Sequence, residues 1–273
     1  MRQDAREIPV LSSKIDSGRR TCMQLVVITA LGVGSATILG ALIGFLVGNI
    51  PHKWNDAILG FAAGVMLAAA VFGLILPSME AVGAKGIWIT AAGILCGAWF
   101  LNVADKVTPH LHNITGIDKE THKHNESLNR VLLFVMAIAI HNLPEGLAAG
   151  VGFGGGDTGN AISVAIGIAL QNIPEGMIII APMLSTGMKK GRTFLIALGT
   201  GIVEVVGTLI GYFAVSLSAA ILPFALAFAG GTMLYVISDE MIPETHSHGN
   251  ETGATYSLLV GFALMLVFDA LVG

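Results

Sequence analysis

Long stretches of the chain carry at most one Lys, Arg, Asp or Glu, and apolar residues fill them continuously rather than along one helical stripe. Crossing a hydrocarbon core of ~30 Å takes roughly 20 apolar residues in a helix. Runs of that order lie at 25–48, 57–79, 86–104, 131–153, 160–188, 193–217, 218–238 and 254–273. Charged or turn-forming residues such as Pro51-His52-Lys53 and Lys85 separate them. The pattern predicts an all-α integral membrane protein with eight transmembrane helices, because only helices and closed barrels satisfy their backbone groups in lipid. A polar tail at 1–22 precedes a transmembrane domain at 23–273, interrupted by one long polar connection at 105–129. That connection contains His110, His112, His122 and His124, and it reads as a solvated linker or a metal-collecting loop.

Composition strengthens this reading. Hydrophobic residues make up 54% of the chain, charged residues 12%, and the mean hydropathy is +0.78, too apolar for a soluble domain of this length. The 35 glycines fit membrane helices that pack closely. With a net charge of -4 and no basic cluster, nothing points to a nucleic-acid site. Cys22 and Cys96 lie in or beside apolar runs without CxxC spacing and read as packing residues. Arg19-Arg20 precedes an apolar stretch too long for a signal h-region and lacking an A-x-A-like cleavage site, so a first membrane span is expected there.

Basic residues indicate orientation. With eight spans and both termini outside, the cytoplasmic connections hold Lys53, Lys106, Lys119, Lys123, Arg130, Lys189, Lys190 and Arg192, against Lys85 outside. The tail, with Arg2, Arg6, Lys14, Arg19 and Arg20, points the other way. Three connections agree, and the loop count sets the expected topology.

A charge deep in a bilayer costs at least a few kcal/mol, so buried acidic or imidazole groups mark function. The fourth run contains His141-Asn142-Leu143-Pro144-Glu145-Gly146, and the fifth contains Gln171-Asn172-Ile173-Pro174-Glu175-Gly176. A short turn joins these runs, so the pattern is crossed in opposite directions near the midplane. This is the inverted arrangement in which transporters place substrate sites. Glu204 and Met66 fall at similar depth in the sixth and second runs. On a helix, Glu145 lies angularly between His141 and Asn142 one turn on. Pro144 and Pro174 free the carbonyls of Ile140 and Leu170, a local irregularity tolerated where it is buried in protein or lines a polar cavity. Three carboxylates at one depth without a Lys or Arg need a cation or protons. Imidazole, amide, carboxylate and thioether form a borderline-soft set suited to Zn²⁺, and to Cd²⁺, Mn²⁺ or Fe²⁺ ahead of Ca²⁺.

The eight-span layout, the histidine-bearing connection after span three, the two x-Asn-x-Pro-Glu-Gly motifs and Glu204 together resemble the ZIP (Zrt-, Irt-like) metal transporters, in particular the prokaryotic GufA-type branch. The resemblance implies a midplane metal centre of one or two ions formed by Met66, His141, Asn142, Glu145, Gln171, Asn172, Glu175 and Glu204. It also implies zinc as transported substrate moving toward the cytoplasm across the cell membrane, homodimers, and a rigid-body shift of a bundle containing spans four and five. Asn172 stands where related bacterial members often carry an acid, which weighs against a second ion. No additional N-terminal span is visible in residues 1–20.

Glu80 and Asp269 near the expected external ends, and Asp105, Asp239, Glu240, Glu244, His246 and His248 near the internal ends, form a candidate pathway. Two other readings compete. An intramembrane metalloenzyme would call for signatures such as HExxH, which the chain lacks, so no enzymatic activity and no organic cofactor are expected. A proton- or sodium-coupled carrier of an organic solute would use the buried carboxylates as proton relays.

Overall fold

The computed structural model describes residues 7–48, 50–115, 126–154 and 157–272, with side chains for all of these except 7–20, 108–115, 126–134, 137 and 219. The described residues are helical almost throughout and contain no strand. In chain order the helices are α1 (Glu7–Val47), α2 (His52–Ala68), α3 (Leu76–Thr115), α4 (Glu126–Gly154), α5 (Thr158–Ile178), α6 (Ile180–Ser185), α7 (Lys190–Leu217), α8 (Leu222–Val236), α9 (Ile242–Thr245) and α10 (Glu251–Val272). Among the described residues, six helical stretches are long and apolar enough to cross a membrane: Thr21–Val47, His52–Val107, Thr158–Ser185, Lys190–Leu217, Leu222–Thr245 and Glu251–Val272. α4 covers the run expected at 131–153.

The stretch His52–Val107, 56 residues, would be about 84 Å long as one rod, far beyond a bilayer core. It bends at Gly83, whose φ of 62° and ψ of −175° only glycine adopts readily. The two arms then run in opposite directions along α8. On the first arm, Gly230 faces Ile75 while Ser78 donates to the Pro223 carbonyl at 2.7 Å. On the second, Gly93 faces Ala227, Gly97 faces Phe228 and Asn102 bonds Tyr235, both helices advancing together. The Ser78 and Thr90 hydroxyls, 2.8 Å apart, join the arms near the bend.

Two π-helical turns interrupt the regular ladder, Ala69–Ile75 between α2 and α3 and Ile237–Met241 between α8 and α9. Such turns insert a residue and release backbone carbonyls. Asn160 on α5 captures one of them, donating through Nδ2 to the Gly73 carbonyl at 3.0 Å. The second turn carries Asp239 and Glu240 and sets their direction.

Several boundaries differ from the apolar runs. α3 continues through Thr115, so the start of the polar connection is helical; polarity ends the lipid-facing segment, whereas a helix keeps its own hydrogen bonds on leaving it. α1 likewise begins at Glu7, within the polar tail. The run at 218–238 becomes a regular helix only at Leu222, because Ser218 is extended (φ −158°, ψ 113°) and Pro223 occupies the first turn. α5 stops at Ile178, four residues beyond Pro174, and resumes as α6.

α1, α4, α5 and α7 pack against one another, α3 pairs with α8, and α2 pairs with α10 while also packing on α5. Glycine permits this approach: a Cβ on Gly64 would collide with the Leu258 carbonyl, and one on Gly261 with that of Phe61, so α2 and α10 meet backbone to backbone.

Candidate metal centre

The two Pro-Glu-Gly motifs bring a second layer of polar groups to the carboxylates. A Cβ on Gly146 would collide with the Glu204 carbonyl on α7, and a Cβ on Gly176 with the Thr37 carbonyl on α1. Each glycine thus docks its helix beside a residue of the centre. α4 and α5 continue through Pro144 and Pro174. Their antiparallel course pairs His141 with Glu175 and Glu145 with Gln171: the first pair lines one cavity, and the second lies in mutual contact deeper in the protein.

Asn142, Glu145, Gln171, Asn172 and Glu204 have no solvent exposure, and His141 and Glu175 are almost as buried. Glu145 interacts electrostatically with both Glu175 and Glu204. No Lys or Arg is among the residues influencing these three acids. Both oxygens of Glu145, both polar atoms of the Gln171 amide, and Oδ1 of Asn142 and of Asn172 have no hydrogen bond among the described residues. Leaving so many buried polar atoms unpaired costs about 1–3 kcal/mol each. Most of them are oxygens carrying full or partial negative charge, which a cation can satisfy collectively.

Glu204 is treated differently. Asn172 donates to its Oε1 through a short hydrogen bond, and Thr37 donates to Oε2 at 3.2 Å. Asn172 also reaches the Val33 carbonyl at 3.4 Å, and Asn142 donates to the Thr200 carbonyl at 3.3 Å. Both oxygens of Glu204 are therefore occupied by protein donors, and α1, α5 and α7 are tied together through it.

On the other side of His141, Nε2 lies 2.7 Å from Glu240 Oε1 and 3.9 Å from Asp105 Oδ1. These three residues, from α4, the second π-helical turn and α3, place one ligand atom each within 4.8 Å of one another, the candidate metal group found among the described residues. A cavity of about 880 Å³ leads from His141 and Glu175, past Asp239 and Glu240, to a mouth at His52, Ser185, Glu244 and His248. The centre is thus open toward the face that carries the α1–α2, α6–α7 and α9–α10 connections.

Other expected residues fall as follows. Met66 is fully buried within the apolar cluster that includes Ala148, Val151 and Ile168. Glu80 is exposed, and Asp269 accepts a hydrogen bond from Ser163 at 2.7 Å. His246 bonds the Ile242 carbonyl at 2.8 Å, a local cap. His110, His112, His122 and His124 lie outside the residues whose side chains are described.

Two polar residues stood apart from the sequence reading. Thr37 gave no signal, one of three hydroxyl residues, with Thr29 and Ser35, in an apolar run. Asp56 was readable as an acid directly before the run at 57, and it is fully buried: His248 Nδ1 lies 3.0 Å from its Oδ1, Asn250 donates to Oδ2 at 2.9 Å, and His52 stacks on His248 at 4.2 Å. It fastens the α9–α10 connection to α2 at the cavity mouth.

Such a molecule is a polytopic helical membrane protein built around a buried, cation-seeking centre with a solvent-connected cavity. Residues 110–269, more than half the chain, match the family model described as ZIP Zinc transporter. The chain is 43% identical over 252 residues to "Zinc transporter GufA" of Myxococcus xanthus, covering 90% of this chain and 98% of that protein. It is 40% identical over 247 residues to "Zinc transporter ZIPB" of Bordetella bronchiseptica, covering 88% and 78%. It is 30% identical over 321 residues to "Zinc transporter ZIP11" of Homo sapiens, covering 87% and 94%. The chain belongs to the ZIP zinc transporter family.

Proposed function

We propose that the protein carries divalent transition metal ions, zinc foremost, across the cell membrane into the cytoplasm. The unpaired buried atoms of Glu145 and Gln171, with His141 and Glu175 buried beside them, carry this reading. These groups form the primary cation site, with Met66 in reserve as a soft ligand and Asn142, Asn172 and Glu204 forming a weaker neighbouring position. The names of the relatives support zinc over the other ions that such donors accept.

Eight spans with both termini outside put Lys53, Lys119 and Lys189 in the cytoplasm, and the cavity then opens inward. Metal enters past Glu80 and Asp269, reaches the centre, and leaves by way of Asp105, Asp239, Glu240 and Glu244. Alternating access then calls for the bundle that contains α4 and α5 to shift as a body against the α3–α8 and α2–α10 pairs. A homodimer in the bilayer accords with this build. Radiozinc uptake into proteoliposomes tests the proposal: accumulation above that of protein-free vesicles is expected, and its absence with correctly inserted protein would refute it.

A further inference from the structure

α1 meets the second Pro-Glu-Gly motif at two points. A Cβ on Gly40 would collide with the Ile173 carbonyl, as one on Gly176 would with that of Thr37. Ile173 and Gly176 flank Glu175 in sequence, so the register of α1 against α5 is fixed on both sides of that acid. This register sets Thr37, and Val33 one turn before it, against Glu204 and Asn172. Thr37, Asn172 and Glu204 have no solvent exposure, and Val33 is 2% exposed.

A hydroxyl inside a helix commonly gives its proton to a carbonyl of the preceding turn. Thr200, Thr208 and Thr232 do so, donating to the carbonyls of Ala197, Glu204 and Ala229 at 2.8, 3.0 and 2.6 Å. Thr37 donates instead across helices, to Glu204 Oε2 at 3.2 Å. The carbonyl one turn behind it, that of Val33, accepts from Asn172 Nδ2 at 3.4 Å, and the same nitrogen donates to Glu204 Oε1. Val33, Asn172, Glu204 and Thr37 thus form one hydrogen-bonded group that begins and ends on α1. Both protons of the Asn172 amide are spent there, and its Oδ1 has no hydrogen bond among the described residues. Turning either oxygen of Glu204 to an ion means giving up a charge-assisted hydrogen bond.

We propose that Thr37 is a positioning residue of the metal centre: together with the Val33 carbonyl it locks Glu204 and Asn172 to each other, withholding Glu204 from the ion and leaving the site to His141, Glu145, Gln171 and Glu175. This role rests on the cation site assigned above and gives α1 control over how many ions the centre holds. Thr37 acts through Glu204 and touches no metal itself.

The test is zinc bound per purified protein, by elemental analysis after dialysis against zinc, alongside radiozinc uptake into vesicles, for wild type, Thr37→Val, Thr37→Ser and the double variant Thr37→Val/Glu204→Gln. Valine keeps the shape at position 37 and deletes the donor, so Glu204 Oε2 becomes available to a cation. Bound zinc should rise from near one toward two, and KM and Vmax for uptake should fall together by about tenfold, the scale of a hydrogen bond to a charged group. Thr37→Ser keeps the hydroxyl and should keep the wild-type stoichiometry and kinetics. In the double variant the charge is gone, and bound zinc should return to near one. Wild-type values in Thr37→Val, or a Thr37→Ser that behaves like Thr37→Val, would overturn the positioning role. If Thr37→Val does not fold, Glu204→Gln in the same chain should restore folding, because the side chain left without its donor no longer carries a charge; a double variant equally unfolded would overturn the role as well. Wild-type vesicles that take up no zinc would instead remove the transport reading, and the bound-zinc counts would still decide the role of Thr37.

Discussion

Both oxygens of Glu145 are buried and have no hydrogen bond among the described residues. Glu145→Ala, Glu175→Ala and His141→Ala should each abolish zinc uptake while the protein still inserts, since no neighbour can replace the charge or the imidazole. Radiozinc uptake together with membrane insertion checks this, and wild-type transport in all three would dispose of the site. Glu204 makes a different kind of prediction, because Asn172 and Thr37 already donate to it. Asn172→Asp removes a donor and adds a charge beside Glu204, so a second cation gains what the protein loses. Bound zinc per protein, by elemental analysis, should rise from near one toward two; two ions in the wild type, unchanged by the substitution, would contradict it.

At the scale of helices, glycine positions divide into those that hold the backbone and those that hold space. Gly83 has nothing within 4 Å of an added Cβ, but its φ is 62°, so Gly83→Ala should cost about 1–3 kcal/mol through backbone strain alone. Gly253, also with open space but inside α10, should tolerate alanine or gain ~0.5–1 kcal/mol from it. Thermal unfolding in detergent separates the two, and equal midpoints would discount the strain at the bend. The apolar runs made the helices themselves legible, as did the twofold motif with its acids and glycines. Three features escaped that reading. The π-helical turns have no hydropathy signature of their own: one is apolar throughout, and the other carries Asp239 and Glu240. Thr37 contributes through a contact 167 residues distant in sequence. The meeting of His141 with Glu240 requires α4 and the end of α8 to be packed together, and no local spacing encodes that.

The whole molecule is asymmetric about its centre, and that asymmetry gives the sharpest test of the transport reading. The cavity reaches His141 and Glu175 from the mouth near His52, Ser185 and His248, while toward the opposite end Gly154 packs on Val215 and Gly73 on Val164. If Lys53 and Lys189 face the cytoplasm, this is a state open inward. A cysteine at Ser185, in a background lacking Cys22 and Cys96, should then be labelled by a membrane-impermeant thiol reagent applied to inside-out vesicles and spared in right-side-out ones. A cysteine replacing Lys119 should follow the same pattern, whereas one at Met1 should react from outside. Zinc bound at the centre biases the position of the bundle that contains α4 and α5 only as far as it binds one arrangement better than the other, so its effect on the Ser185 labelling rate measures that difference directly. A tenfold slowing would correspond to about 1.4 kcal/mol of preference for the closed arrangement. Labelling of position 185 from the external face, with zinc absent, would invert the topology and the direction of transport with it.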